Sequence, residues 1–288
     1  MDISIVVVTY NSRKSISGCL DSVLKQFRPG MEVVVVDNGS TDGSVELIKS
    51  KYKKVKIIEN RKNFGAAFAR NQAITSSQGN WIVTLDSDIV LGDNFFTAFG
   101  SLEIVRNVRI GMVIPNILNG DGSKIYSQGA YLSFLKRIYD YGRGEPVKFF
   151  REKPARVIGP CSAAAFYRRK MLEEVKGKTG YFDRRFFFLI EDVDLAWRAQ
   201  RAGWKSLFCL KSFCFHRGNS CRAGKKARQY LSYRNRKLMV KKNGSGLKIF
   251  KFNPLSWLYE SVRFIYLYIF NPYLRRKAKP EDILRNEK

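Results

Sequence analysis

Five short runs of β-branched and apolar residues alternate with helix-patterned segments over the first 115 residues, and that rhythm restricts the chain to an α/β fold. The runs are Ile3–Thr9, Glu32–Asp37, Val55–Glu59, Trp81–Leu85 and Ile110–Pro115. Each is continuous rather than alternating, the pattern of strands buried on both faces. Between them, Lys14–Gln26 carries Ile16, Leu20, Val23 and Leu24 at helical spacing, and Gly65–Thr75 and Asn94–Arg106 read as further helices. Asn38 to Gly43 reads as a turn that caps the next helix. Repeated βαβ units of this kind predict a mostly parallel sheet with helices on both faces.

Beyond residue 116 the rhythm changes. Asn119–Arg143 is glycine-rich and aromatic, which predicts shorter strands and a flexible loop over one end of the sheet. Helices follow at Arg168–Val175 and from about Glu191, with an apolar strand at Phe213–Phe215 between the second of these and a helical, basic last third.

The net charge of +27 is unevenly spread, because Arg217–Tyr259 contains no acidic residue at all. A surface this basic favours polyanions, either nucleic acid or an anionic membrane leaflet. No nucleic-acid motif accompanies the charge, and acids gather at the strand ends where a polyanion would be repelled. Cys19, Cys161, Cys209, Cys214 and Cys221 form no CxxC pair, the usage of a reduced, cytoplasmic chain. Zinc at Cys209, Cys214, His216 and Cys221 is disfavoured, since the first two lie in strand-like text. Met1-Asp2 leads straight into a strand without a basic leader, and no apolar stretch approaches the ~20 residues of a membrane span.

Ligands of open α/β sheets bind at the carboxyl ends of the strands. Thr9, Tyr10 and Asn11 close the first strand and Asp37 the second, without the GxGxxG of a dinucleotide site. The fourth run ends in Asp86-Ser87-Asp88, whose carboxylates, two apart, would project together and repel unless a hydrated Mg²⁺ or Mn²⁺ lay between them. An Asp-Ser-Asp turn capping a helix is the alternative, as an Asx-turn is for Asp37. Arg70, two turns into a helix opened by small residues, is placed either to clamp a phosphate or to make a surface salt bridge. Glu191, Asp192 and Asp194 crowd the first turn of a helix behind the plug Phe186–Ile190. Capping explains one or two such acids, and the third makes a partly buried general base a candidate.

Five motifs occur in order: Val-Val-Thr-Tyr-Asn (7–11), Val-Asp-Asn-Gly-Ser-Thr-Asp-Gly-Ser (36–44), Asn-Phe-Gly-Ala-Ala-Phe-Ala-Arg-Asn (63–71), Leu-Asp-Ser-Asp (85–88) and Glu-Asp-Val-Asp-Leu-Ala-Trp-Arg (191–198). Together they resemble the family 2 inverting glycosyltransferases, most closely the rhamnosyltransferase-like branch. The resemblance implies a GT-A fold, Rossmann-like, over residues 1–220, with 221–288 as a basic, aromatic helical extension. It implies a donor site of Thr9, Tyr10, Asn11, Asp37, Gly39, Asn63, Arg70, Asp86 and Ser87. It further implies a Mn²⁺ or Mg²⁺ site of Asp86, Asp88 and His216, and Asp192 as the base, with Glu191 and Asp194 as secondary acidic candidates. Imidazole leans the ion towards Mn²⁺. Relatives in that branch often carry Asn-Pro-Asp where this chain has Asp86-Ser87-Asp88, which leaves the donor open between a UDP-sugar and a dTDP-deoxysugar. The expected reaction is a single displacement onto a glycan or lipid-linked hydroxyl; a nucleic-acid-binding protein and a nucleotidyltransferase on a similar sheet are the alternatives.

Pro254–Tyr273 is apolar and rich in Tyr and Trp, with basic flanks. Glu260 and Arg263 argue against a span, so an interfacial helix on the inner face of the cell membrane is expected, with Trp257, Phe264 and Leu267 in the lipid. A helix packed on the catalytic domain or in a homo-oligomer is the alternative.

Overall fold

The computed structural model describes residues 2–102, 109–133, 137–150, 157–218, 223–243 and 254–283. The N-terminal alternation builds β1 (Ile3–Thr9), α1 (Ile16–Leu24), β2 (Met31–Asp37), α2 (Ser44–Lys51), β3 (Lys56–Glu59), α3 (Ala66–Thr75) and β4 (Trp81–Asp86). These four strands lie parallel in the order β3-β2-β1-β4. Successive residues of β1 serve opposite faces. Ile5 and Val7 pack with Ile16, Leu20 and Val23 of α1, while Val6 packs with Ala67, Ala73 and Ile74 of α3. A strand buried on both faces needs apolar residues at every position, which accounts for the unbroken runs.

After β4 the chain departs from a purely parallel plan. It turns at Ser87-Asp88 into β5 (Ile89–Leu91), runs through α4 (Phe95–Gly100) and enters β6 (Ile110–Asn119), which is longer than the expected Ile110–Pro115. Residues 103–106 of the expected helix lie outside the described residues. Short strands follow as expected: β7 (Ile125–Ser127) on the edge of β6, then β8 (Ala130–Leu132), β9 (Ile138–Asp140) and β10 (Val157–Gly159) in a small sheet of their own. Sequence reading missed β11 (Ala164–Arg168), which inserts antiparallel between β4 and β6. Next come α5 (Arg169–Glu174), α6 (Glu191–Arg201) and β12 (Lys205–His216), which runs parallel to β6 and antiparallel to β5. The nine-stranded sheet is therefore mixed, with β5, β7 and β11 opposing the rest.

The last third holds α7 (Lys225–Asn243), α8 (Pro254–Phe270), α9 (Pro272–Arg275) and α10 (Pro280–Ile283). α7 is fastened to α6 by polar contacts at its carboxyl end. Asp194, fully buried, accepts from Arg198 at 3.0 Å, Lys242 Nζ at 2.7 Å and Asn243 Nδ2 at 2.7 Å. α8 lies against α7 through an Arg236–Glu260 ion pair, with Phe264 6.3 Å from Tyr233, and its Leu267 is buried. No helix among the described residues is long and apolar enough to cross a membrane. Of the basic stretch read from sequence, Arg222, Lys248 and Lys251 lie outside the described residues, as does Cys221; Cys209 and Cys214 are buried free thiols.

Candidate active site

A cleft of about 1090 Å³ opens over the carboxyl ends of β1 and β4. One side is walled by Tyr10, Asn11, Asn38, Thr41 and Asn63; its floor holds Asp86, Ser87 and His216, and Glu191 and Asp192 close the opposite side.

The floor depends on register. β4 ends at Asp86, and Asp88 lies beyond it in the turn into β5, so the simple strand alternation expected for the pair does not hold. Asp86 faces the cleft, whereas Asp88 is wholly buried beneath it. Pairing of β12 with β5 sets His216 opposite Ile89, and the Arg217 N–H donates to the Asp88 carbonyl at 3.1 Å. That pairing carries the chain's one histidine, from 128 positions further along, to the Asp88 carboxylate. Nδ1 sits 3.8 Å from Asp88 Oδ2, and ligand-type atoms of Asp86, Asp88 and His216 all lie within 4.8 Å of one another. The imidazole stacks on Tyr126 at 4.1 Å and accepts the Gly218 N–H at Nδ1, 3.0 Å away. Two carboxylates and an imidazole held this close are a donor set that fits a divalent cation of the manganese or magnesium type.

Arg70 makes no surface salt bridge. It is buried at the cleft lining, and its guanidinium bridges two carboxylates, Glu191 at 2.5 Å and Asp86 at 2.7 Å. Small residues at Ala66, Ala67 and Ala69 bring α3 close enough for this reach. Burial works against the charge of Arg70, but Asp86 and Glu191 together outweigh it and hold the guanidinium above its ordinary range. In return, burial raises Asp86 and Glu191 above the usual carboxylate range despite the arginine, with Asp88 adding to the first and Asp192 to the second.

The acidic pair at the start of α6 divides its labour. Glu191 is buried against Arg70, while Asp192 reaches the cleft wall. Asp192 accepts N–H donors from Ser162 at 3.0 Å and Val193 at 2.8 Å, which fix the plane of its carboxylate. Burial raises its pKa, and the two donors and Arg70 offset this only in part. Asp194, the third acid, is spent on α7 and does not line the cleft. The segment leading into the pair is strained: Phe187, Leu189 and Ile190 have φ of 64°, 71° and 74°. Buried Asn235 of α7 holds it there, its Nδ2 lying 2.8 Å from each of the Phe186, Phe188 and Leu189 carbonyls. On the other side Gly65 is required, since a Cβ there would come within 2.5 Å of the Phe187 carbonyl oxygen.

The remaining residues expected at a donor site mostly organise this edge. Asp37 is buried and accepts from the backbone of Gly39 at 3.0 Å and Ser40 at 2.8 Å, and from the Ser40 hydroxyl, which is the Asx-turn alternative. Gly39, at φ 81°, lets that turn pass Lys62. Thr9 is buried, and neither it, Asp37 nor Gly39 lines the cleft. Tyr10 and Asn11 do line it, Asn11 at φ 51° with Oδ1 accepting the Thr41 N–H at 2.8 Å. Asn63 lines it while capping Gly65 N–H at 2.9 Å, and Ser87 is locked to Ser12 at 2.7 Å. Sequence reasoning missed Ser162, Asn235 and the arginines of the cleft's outer end; Arg228, Ser232 and Arg236, spaced i, i+4, i+8 on α7, were the available signal.

Residues 4–176 match the family described as Glycosyl transferase family 2. Glycosyltransferase GlyG of Streptococcus pneumoniae is 32% identical over 124 residues, covering 42% of this chain and 40% of that protein. The N-acetylglucosaminyl-diphospho-decaprenol L-rhamnosyltransferase of Mycobacterium tuberculosis is 25% identical over 246 residues, covering 74% of this chain and 75% of that one. Among solved structures, the mannosyltransferase PcManGT of Pyrobaculum calidifontis, in complex with GDP-Man and Mn²⁺, superposes with a TM-score of 0.58 at 18% identity, covering 94% of this chain and 71% of that one. The chain thus spans less than half the length of the first of these relatives, while the likeness in fold runs nearly its whole length. With a GT-A architecture and a family match over more than half its residues, the chain belongs to glycosyl transferase family 2.

Proposed function

We propose that this enzyme transfers a sugar from a nucleoside-diphosphate donor, a UDP- or dTDP-sugar, to a hydroxyl of a glycan or lipid-linked acceptor, with inversion. The observation that carries this reading is Asp192, a carboxylate oriented by two backbone donors on the wall of a cleft whose floor holds Asp86, Ser87 and His216. A base so oriented can accept the proton of an attacking hydroxyl in one in-line displacement, without a covalent intermediate. Asp86, Asp88 and His216 would hold a Mn²⁺ or Mg²⁺ ion, which when bound offsets the charge that develops on a departing diphosphate. Tyr10, Asn11, Asn38 and Asn63 offer the nucleotide an aromatic face and amide hydrogen-bonding groups. Arg70 acts through Asp86 and Glu191, holding the donor side and the α6 side of the cleft at fixed separation.

A peripheral place on the anionic inner face of the cell membrane is supported by α8. Its two charged residues turn towards the body, Glu260 paired with Arg236 and Arg263 lying 5.5 Å over the Tyr233 ring. Its outer surface exposes Leu255, Trp257, Leu258, Val262, Ile265 and Ile269 without a charge. Leu267, expected in the lipid, packs inward instead. Exposed Arg275, Arg276 and Lys277 follow the helix, and exposed Lys225, Lys226 and Lys237 stand on α7.

The reading is tested by screening UDP- and dTDP-sugars for diphosphate release with lipid-linked acceptors, with and without EDTA. Release that EDTA abolishes and Mn²⁺ restores is expected. Full activity in EDTA would remove the metal, and silence with every such donor would remove the donor class.

A further inference from the structure

Of the three groups on the cleft floor, His216 depends most on its neighbours for direction. The torsion that turns an imidazole about its Cβ–Cγ bond has broad, weak preferences, so strand register brings His216 to Asp88 without fixing how the ring faces. The Gly218 N–H, 3.0 Å from Nδ1, restrains one ring nitrogen, about which the plane can still tilt. Tyr126 of β7 supplies the missing restraint. Its ring lies face to face with the imidazole, the centres 4.1 Å apart and the planes 8° from parallel. Tyr126 is half-buried and lines the cleft beside the residues of the floor.

Tyr126 is itself held firmly enough to serve as a reference. β7 and β12 both pair with the last residues of β6, Ser127 and Cys214 each opposite Ile117, so a common neighbour sets the spacing of the two rings. From the other direction, the Ile125 N–H donates to the Glu145 carbonyl at 2.8 Å and the Gly144 N–H to the Ile125 carbonyl at 2.9 Å. The same segment brings the Arg143 guanidinium over the Tyr126 ring, 4.4 Å from its centre, where Asp140 pairs with it at 2.8 Å. Two physical effects follow from a ring so placed. A parallel face-to-face contact fixes the imidazole plane, which a single in-plane hydrogen bond does not. The electron-rich face of a tyrosine also favours an imidazole that becomes more positive as it ligates a cation. The carboxylates of Asp86 and Asp88 suit Mg²⁺ and Mn²⁺ alike, whereas imidazole suits Mn²⁺, so ion preference depends on how well the imidazole is presented.

We infer that Tyr126 is a positioning residue for His216, holding the imidazole as a ligand and thereby setting the preference of the floor for Mn²⁺ over Mg²⁺. The inference rests on the reading of Asp86, Asp88 and His216 as an ion site, and adds to it a residue outside the ligand set that governs which ion is taken. Tyr126 acts through the imidazole alone and touches neither ion nor donor.

The test is ion binding by the full chain, read without turnover. Free Mn²⁺ is followed by electron paramagnetic resonance, and Mg²⁺ by its competition with Mn²⁺, each alone and with UDP. Tyr126→Leu keeps bulk but loses the aromatic face. It should weaken Mn²⁺ binding about tenfold, the lower end of what removing a group that orients a metal ligand costs, and Mg²⁺ binding much less. Tyr126→Phe keeps the face and should bind both ions as the parent does. In the His216→Ala protein, Tyr126→Leu should have no further effect, since its whole influence passes through the imidazole. Unchanged Mn²⁺ affinity in Tyr126→Leu would overturn the inference. So would an equal loss for both ions, which marks general damage to the floor, or an undiminished effect in the His216→Ala protein. A loss in Tyr126→Phe as large as in Tyr126→Leu would overturn the stacking argument by placing the role in the hydroxyl. A parent protein that binds Mn²⁺ neither alone nor with UDP would instead remove the ion site on which the inference rests.

Discussion

Glu191 and Asp192 are adjacent in sequence, yet their surroundings assign them different work. Glu191 is buried against a buried arginine, so Glu191→Gln leaves the Arg70 charge with Asp86 alone. Removing one partner of a buried pair costs about 3–5 kcal/mol. That variant should melt at a distinctly lower temperature in calorimetry. Asp192→Asn keeps the shape but leaves one acceptor for the two backbone donors, so its melting temperature should fall less than that of Glu191→Gln while turnover falls by roughly 10²–10⁴. If Glu191→Gln lowers turnover more than Asp192→Asn with an unchanged melt, the base has been assigned to the wrong residue. The same burial predicts a pH dependence. A base acts when ionised, and burial raises Asp192, so kcat/KM should fall with acidification through a pKa above the ordinary aspartate value of about 4. An acid limb at or below that value in the pH–rate profile would contradict the assignment.

At the scale of elements, the strained turn before α6 is the joint on which the site depends. Non-glycine residues at positive φ cost of the order of 1–3 kcal/mol each and persist only when neighbours over-determine them. Here Asn235 does so from α7, an element outside the strand-helix alternation of the sheet. Asn235→Ala should let the turn relax and move Asp192, lowering kcat at least tenfold with the donor KM nearly unchanged. A lower melting temperature with kcat intact in the folded enzyme would reduce Asn235 to a structural anchor. The parallel strands were legible because their burial on both faces imposes a continuous apolar code on neighbouring residues. The strand-end polar residues were legible for the same reason, as the points where that code stops. Arg70 was not, because its partner Glu191 lies 121 positions away and nothing local specifies the pairing. β11 was hidden too: Ala164–Arg168 is short and leads straight into α5, so no turn separates strand from helix. Asp37 fell to its turn because the three donors that claim it sit within the next three residues.

At the scale of the molecule, a net charge of +27 and one uncharged helical face have to be reconciled with a working enzyme. Sequence alone read Glu260 and Arg263 only as arguments against a span, because the direction in which they point depends on packing against α7. Turned inward, they leave the outer face apolar, as a helix lying in the headgroup layer requires. Two forces then act with different salt dependence. Each Lys or Arg near an anionic surface contributes about 1 kcal/mol, and this fades as the screening length shrinks to about 3 Å at 1 M salt. Burial of each large apolar side chain contributes roughly 1.5–3 kcal/mol and does not fade. In vesicle co-sedimentation the protein should therefore pellet with anionic vesicles at low salt and remain partly bound at high salt. Trp257→Asp with Ile265→Asp, both on the exposed face, should leave low-salt binding weakened and abolish the salt-resistant part. Binding lost entirely at high salt in the parent protein would mean that the bases act alone. A protein left in the supernatant with every lipid composition would return α8 to a packing role, with its apolar face awaiting another protein surface.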